Sequence, residues 1–141
     1  MEVRTEIEIA APAAEVWRVL TDFAGYGEWN PFITAIAGDL REGQTLRIAV
    51  SLPEGRDLTL RPRVLRCAEQ EELRWRGHFL FPGLLDGEHF FRLIEHTPGQ
   101  TRFVHGENFG GVLLRLAGNS LNRAARGFVY MNEALKRRVE G

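Results

Sequence analysis

The chain has 141 residues, a formal net charge of −1 and one cysteine, with 44% hydrophobic and 26% charged residues. That balance is ordinary for a soluble globular protein and supplies no global basic field to hold nucleic acid or an anionic membrane. Cys67 alone forms no internal disulfide, no run nears the ~18 apolar residues of a membrane helix, and no export signal is expected from the acidic residues and short apolar runs of the first segment. One cytoplasmic domain over residues 1–141, with no integral membrane association, is therefore expected.

The first strand covers Val3–Ala10, with Val3, Thr5, Ile7 and Ile9 alternating against Glu2, Arg4, Glu6 and Glu8. Pro12 suits the first turn of a helix, where its missing N–H costs nothing. Val16, Trp17, Val19 and Leu20 give that helix its apolar stripe. Asp22 is placed to cap a second short helical turn through Tyr26, and an aromatic, turn-rich stretch follows at Gly25–Phe32. Six strands come next: Ile33–Leu40, Thr45–Leu52, Leu58–Cys67, Glu72–Leu80, Glu88–Glu95 and Arg102–Phe109. Turn signals separate them, and their even spacing favours an antiparallel meander. The segment Phe81–Leu85 is apolar and tightly turned, more like a flap over a cavity mouth than a solvated loop. A long helix over Val112–Val139 closes the chain, with Leu113, Leu116, Leu121, Ala124, Phe128, Met131 and Leu135 recurring at three- and four-residue steps. Gly118 and Gly127 each cost about 1 kcal/mol within a helix, and serve close packing or a slight bend near a ligand, or are simply tolerated.

Four stretches carry a resemblance: IEIAAPAAEVWRVLTDFAGYGEWNPFI at 7–33, LRWRGHF at 73–79, DGEHFFRLIE at 86–95 and TRFVHGENFGGVL at 101–113. With the final helix they cover nearly the whole chain. The sequence resembles the START-like superfamily, often called SRPBCC, and within it the polyketide cyclase/dehydrase-like and lipid-transport-like branch. The resemblance implies an α+β helix-grip fold: a seven-stranded curved antiparallel sheet around a long C-terminal helix, two short helices after the first strand, and a deep apolar cavity between sheet and helix. Members bind lipids, sterols, hormones and polyketides, and some are cyclases, dehydratases or hydroxylase subunits. The match therefore speaks to fold more than to function.

Strand parity selects the residues that face such a cavity. On Leu73–Leu80 the apolar face holds Leu73, Trp75, Gly77 and Phe79. His89, Phe91 and Leu93 share a face of the next strand, and Phe103, His105, Glu107 and Phe109 share one on the last. A five-residue hairpin loop at His96–Gln100 sets His89 opposite Glu107 and Phe91 opposite His105. A three-residue loop at Pro98–Gln100 sets Phe91 opposite Glu107 and Leu93 opposite His105. In either register Glu107 is a direct or diagonal neighbour of His89.

His89, His105 and Glu107 thus form one polar constellation on an aromatic wall, open to three readings. It is a mutually satisfied structural cluster, a polar anchor for an apolar guest, or an acid/base catalytic group. Two histidines and a glutamate match a zinc set in type but lack His–x–x–x–His spacing, and no metal or cofactor is expected. The leading expectation is binding of a small hydrophobic ligand. Its wall is drawn from Trp29, Trp75, Phe79, His89 and Phe91, and from His105, Glu107, Phe109, Leu116 and Phe128. The alternatives are a cyclase/dehydratase using the His–Glu cluster, and a protein-interaction module docking through the Phe81–Leu85 flap, onto another protein or, as a homodimer, onto a second copy of the chain.

Overall fold

In the computed structural model, described for residues 1–79 and 82–141, the chain forms an antiparallel α+β helix-grip arrangement. Strand β1 (Glu2–Ile9) leads into α1 (Ala13–Thr21), a 3₁₀ turn at Phe23–Gly25 and the one-turn α2 (Tyr26–Trp29). Strands β2 (Ile33–Ala37), β3 (Arg47–Ser51) and β4 (Asp57–Leu60) form one sheet. Strands β5 (Arg63–Ala68), β6 (Glu72–His78), β7 (Asp86–Thr97) and β8 (Gln100–Gly110) join β1 in another, ordered β1-β8-β7-β6-β5. After a 3₁₀ turn at Leu114–Leu116, α3 (Gly118–Glu140) packs along β1 and β8.

The described strands number eight rather than the expected seven because Leu58–Cys67 divides at Pro62. Proline has no N–H to continue a ladder, so β4 ends at Leu60 and β5 starts at Arg63. The Pro62 carbonyl instead accepts from Leu46 N at 2.8 Å, and Gly43 N and Val64 N bond across to Val64 O and Gln44 O at the same distance. These bonds, with a bridge between Thr45 and Arg63, stitch the two sheets into one curved wall.

The β7–β8 register sets His89 opposite Glu107 and Phe91 opposite His105, as in the five-residue-loop alternative. The turn itself is tighter. Thr97 pairs with Gln100 around Pro98-Gly99, and a bulge between Glu95 and Thr97 makes up the difference. The next strand reaches only His78, and the Leu80 and Phe81 ends of the expected strand and flap lie outside the described residues.

Helix α1 begins after Pro12, and the N–H of Ala13 donates to Glu95 Oε1 on β7 at 2.7 Å. That bond and a second from Gly99 hold the Glu95 carboxyl below the usual carboxylate range. Asp22 makes no side-chain cap, contrary to expectation. The turn is held instead by Tyr26, fully buried, whose hydroxyl donates to the Leu20 carbonyl.

Helix α3 starts six residues later than the pattern suggested. Val112 N and Leu113 N donate to the Gly83 and Leu84 carbonyls, at 3.1 and 2.9 Å, which ties this segment to the β6–β7 loop. Leu116 consequently points away from the core and is 84% exposed, which removes it from the expected cavity wall. From Leu121 onward the stripe holds: Leu121, Ala124, Phe128, Met131 and Leu135 are buried. No helix among the described residues is long and apolar enough to cross a membrane.

The two helix glycines separate cleanly. A Cβ at Gly118 would meet nothing within 4 Å, whereas a Cβ at Gly127 would lie 2.3 Å from the edge of the Phe32 ring. Gly127→Ala gains helix propensity but must displace a buried aromatic, and overpacking of that kind costs about 1–3 kcal/mol. The variant is expected to lower the urea midpoint, and an unchanged or raised midpoint would show that Phe32 moves freely.

Candidate functional site

Between the sheets and α3 lies a cavity of about 680 Å³, within the range of small-molecule sites. Ile48, Val50, Leu58 and Leu60 line it from β3 and β4, and Phe32 and Ile33 from the chain after α2. Helix α3 supplies Leu121 and Ala124, and Trp75, Gly77, Gly87 and His89 form the facing wall. Gly77 and Gly87 are paired directly across β6 and β7, so this wall is bare backbone at its middle. The space above Gly87 is taken by Glu107, since a Cβ there would overlap its carboxylate.

Glu107 begins a chain of polar contacts that runs from the cavity into the core. Its Oε1 lies 2.9 Å from His89 Nδ1, and His89 Nε2 lies 2.7 Å from His105 Nε2. His105 Nδ1 is 2.8 Å from Asn132 Oδ1 on α3, and Asn132 Nδ2 donates to Thr5 Oγ1 on β1 at 2.8 Å. Thr5 Oγ1 donates to the His105 carbonyl, also at 2.8 Å. Aromatic rings pack the imidazoles on either side. Phe128 stacks on His105 at 4.4 Å and 23°, and Trp75 stacks on His89 at 5.5 Å and 14°.

The far end sets the polarity of this chain. A backbone carbonyl only accepts, so the single hydroxyl proton of Thr5 goes to it, and Thr5 Oγ1 receives from the Asn132 amide. The amide orientation that satisfies this contact turns Asn132 Oδ1 to His105 Nδ1, which carries the N–H. His105 is fully buried, and burial, with repulsion from His89, holds its pKa well below the usual value although the Asn132 and Phe128 contacts oppose the shift. Neutral His105 therefore offers a lone pair at Nε2, and His89 Nε2 donates to it. One proton is left for the 2.9 Å contact between His89 Nδ1 and Glu107 Oε1. That contact sets a donor beside an acceptor at the cavity wall.

A family model described as polyketide cyclase / dehydrase and lipid transport matches residues 1–140. The chain belongs to the polyketide cyclase/dehydrase and lipid-transport family. Among solved structures it is similar to the Zhui aromatase/cyclase from Streptomyces sp. R1128, with 21% identity and a TM-score of 0.75 over 99% of this chain and 93% of that one. A START superfamily protein from Mycobacterium smegmatis is 23% identical with a TM-score of 0.68, over 99% and 97%. A hypothetical protein from Helicobacter pylori is 17% identical with a TM-score of 0.78, over 99% and 88%. Identities this low demonstrate a shared fold. No curated protein matches the chain.

In this member of the family, five of the ten expected wall residues line the cavity: Trp75, Phe79, His89, Glu107 and Phe109. Phe91, His105 and Phe128 are completely buried behind that wall, where α3 lies on the sheet. Trp29 packs edge-on against Tyr26 at 5.2 Å and borders a shallow surface depression with Ala134, Arg137 and Arg138, at the C-terminal end of α3. Phe32, three residues on, is the member of the aromatic stretch that reaches the cavity. Of the flap, Leu85 lines the cavity, held by a 2.8 Å bond from Phe79 N to its carbonyl. Asn132 and Thr5 were not singled out from the sequence. Their signal is a polar residue inside an apolar stripe: Asn132 follows Met131 on the buried face of α3, and Thr5 shares a face with Val3 and Ile7.

His105 generates a pH dependence of defined sign. Its folded pKa is depressed, so its contribution to stability is whole above the unfolded value near pH 6.5 and is lost as pH falls toward the folded pKa. A urea-unfolding series from pH 7.5 to 5.5 is expected to show falling stability, with up to about 1.4 kcal/mol per pH unit from this one group. His105→Gln should flatten that slope, and an equally steep slope in the variant would assign the loss elsewhere.

Proposed function

We propose that this protein binds a small hydrophobic molecule in the cavity between its sheets and α3, and that the His89–Glu107 pair orients the guest's polar group. The observation that carries this reading is the placement of that donor–acceptor pair on the wall of an otherwise largely apolar, 680 Å³ space. Family membership and the START superfamily neighbour support it. The neutral fluorophore N-phenyl-1-naphthylamine is expected to bind with enhanced, blue-shifted emission. Ala124→Trp, which projects a large side chain into the cavity from α3, should weaken binding at least tenfold while circular dichroism stays native. Undiminished binding by a folded Ala124→Trp would place the guest elsewhere.

The polarised chain favours a second reading, a cyclase or dehydratase, which the polyketide cyclase family description and the aromatase/cyclase neighbour also support. In a β-hydroxy ketone, the Glu107 carboxylate would take the proton next to the carbonyl while the His89 imidazolium gives its proton to the departing hydroxyl, which leaves as water. The pair then stands as carboxylic acid and neutral imidazole, and passing the newly acquired proton from Glu107 to His89 across their contact restores the starting state. Acid/base groups of this kind supply about 10²–10⁴-fold. With a β-hydroxy ketone as substrate, Glu107→Gln should lower kcat by that order with fluorophore binding intact, and equal turnover by wild type and variant would sink the catalytic reading.

A further inference from the structure

The charges around the cavity are unevenly matched. Each acidic residue in its lining has a partner within the protein: Glu54 with Arg126 at 3.2 Å, Asp86 with Arg76 at 3.6 Å, and Glu107 with His89 at 2.9 Å. The two arginines in the lining, Arg56 and Arg123, have no carboxylate within ion-pair distance among the described residues. They come from different elements and are brought to one place. Residues 54–56 form the tip of the β3–β4 hairpin, where Glu54 adopts φ 55° and Gly55 N closes the turn on Leu52 O at 3.0 Å. That tip leans on α3: Arg126 holds Glu54, and a Cβ at Gly55 would sit 3.3 Å from Arg123 Cδ. The contact lays the half-buried Arg123 stem against the residue next to Arg56. Ser120, one turn earlier on α3, adds a hydroxyl to the same rim.

We propose that the ligand is an anionic amphiphile: an apolar body inside the cavity and a carboxylate or phosphate group at the rim, held by Arg56 and Arg123. Guanidinium groups suit both anions because each presents paired N–H donors. An acid head paired there also neutralises two cations that otherwise rely on water. The inner end of the same guest meets the His89–Glu107 pair, so the cavity reads a molecule from both ends. This inference rests on the cavity-binding reading above and adds the charge of the ligand to it.

The test uses N-phenyl-1-naphthylamine as a neutral reporter on the full chain, displaced by decanoate, decyl phosphate and methyl decanoate. The acid or the phosphate is expected to displace it at concentrations about tenfold below the ester, and whichever is stronger identifies the head group. Raised salt should narrow the gap. In Arg56→Gln/Arg123→Gln, displacement by the anions should fall to the level of the ester, and a native circular dichroism spectrum shows that the variant is folded. Equal displacement by acid, phosphate and ester in the wild type would overturn the anionic head group and leave the cavity reading standing. A gap that survives the double substitution would overturn the assignment of the head group to Arg56 and Arg123. Failure of the reporter itself to bind would overturn both.

Discussion

A histidine that must stay neutral and fully paired sits where the last helix crosses the sheet, and the surrounding elements are arranged about it. An imidazole buried without partners would cost several kcal/mol, so His105 binds the fold to particular neighbours. Its ring nitrogens reach Asn132 on α3 and His89 on β7, and its carbonyl receives the Thr5 hydroxyl from β1. Four elements are thereby set in one relative position. Phe128 and Phe91, at 4.4 and 4.6 Å, fill the space that remains around the ring. The cost of the polar group is offset by what it specifies: helix rotation, strand register and the direction of every proton in the chain.

The cavity begins where that packing stops. On one side of His89 the helix presents Phe128, Met131 and Leu135 and leaves no space. On the other it presents Ala124, Ser120 and Leu121 opposite two glycines, and the sheets stand apart. His89 therefore occupies a boundary, with one nitrogen committed to the core and the other to the carboxylate at the cavity. A buried anchor fixes the tautomer of a group that faces the guest. That division between a rigid, satisfied interior and a partly exposed reactive end suits either holding a ligand or moving a proton.

Most of the architecture was legible from pattern. Period-two faces on β6, β7 and β8 placed Trp75, His89 and Glu107 on one wall, because parity is a property of extended backbone and survives any packing detail. The resemblance of residues 7–33 placed the short helices, and the family match over residues 1–140 agrees with it. What parity could not show was depth. Phe91, His105 and Phe128 lie on inward faces, yet they are core rather than cavity because α3 covers that end of the sheet, and coverage depends on helix placement. Leu116 fitted a helical period, but its segment spends its N–H groups on the β6–β7 loop before the helix starts. Pro62 lies inside the expected strand Leu58–Cys67, and its missing donor divides that strand. The rim arginines carry no local signature, since each matters only through what a distant element brings beside it, and the polar break that Asn132 makes in the stripe of α3 does not name His105 as its partner.

The paired glycines of β6 and β7 have a consequence for how such a protein would change over generations. Where side chains form a wall, altering its shape requires exchanging one group for another of different size. At Gly77 and Gly87 the wall is peptide, and every substitution adds volume, beginning with a single methyl. A Cβ at Gly77 would meet Pro62 at 3.6 Å, an ordinary contact, so the sheet tolerates a methyl there. At Gly87 the same methyl would evict Glu107. One position thus trims the room available to a guest and its neighbour removes the acid, so guest size and site chemistry sit on separate single-residue steps in the same pair.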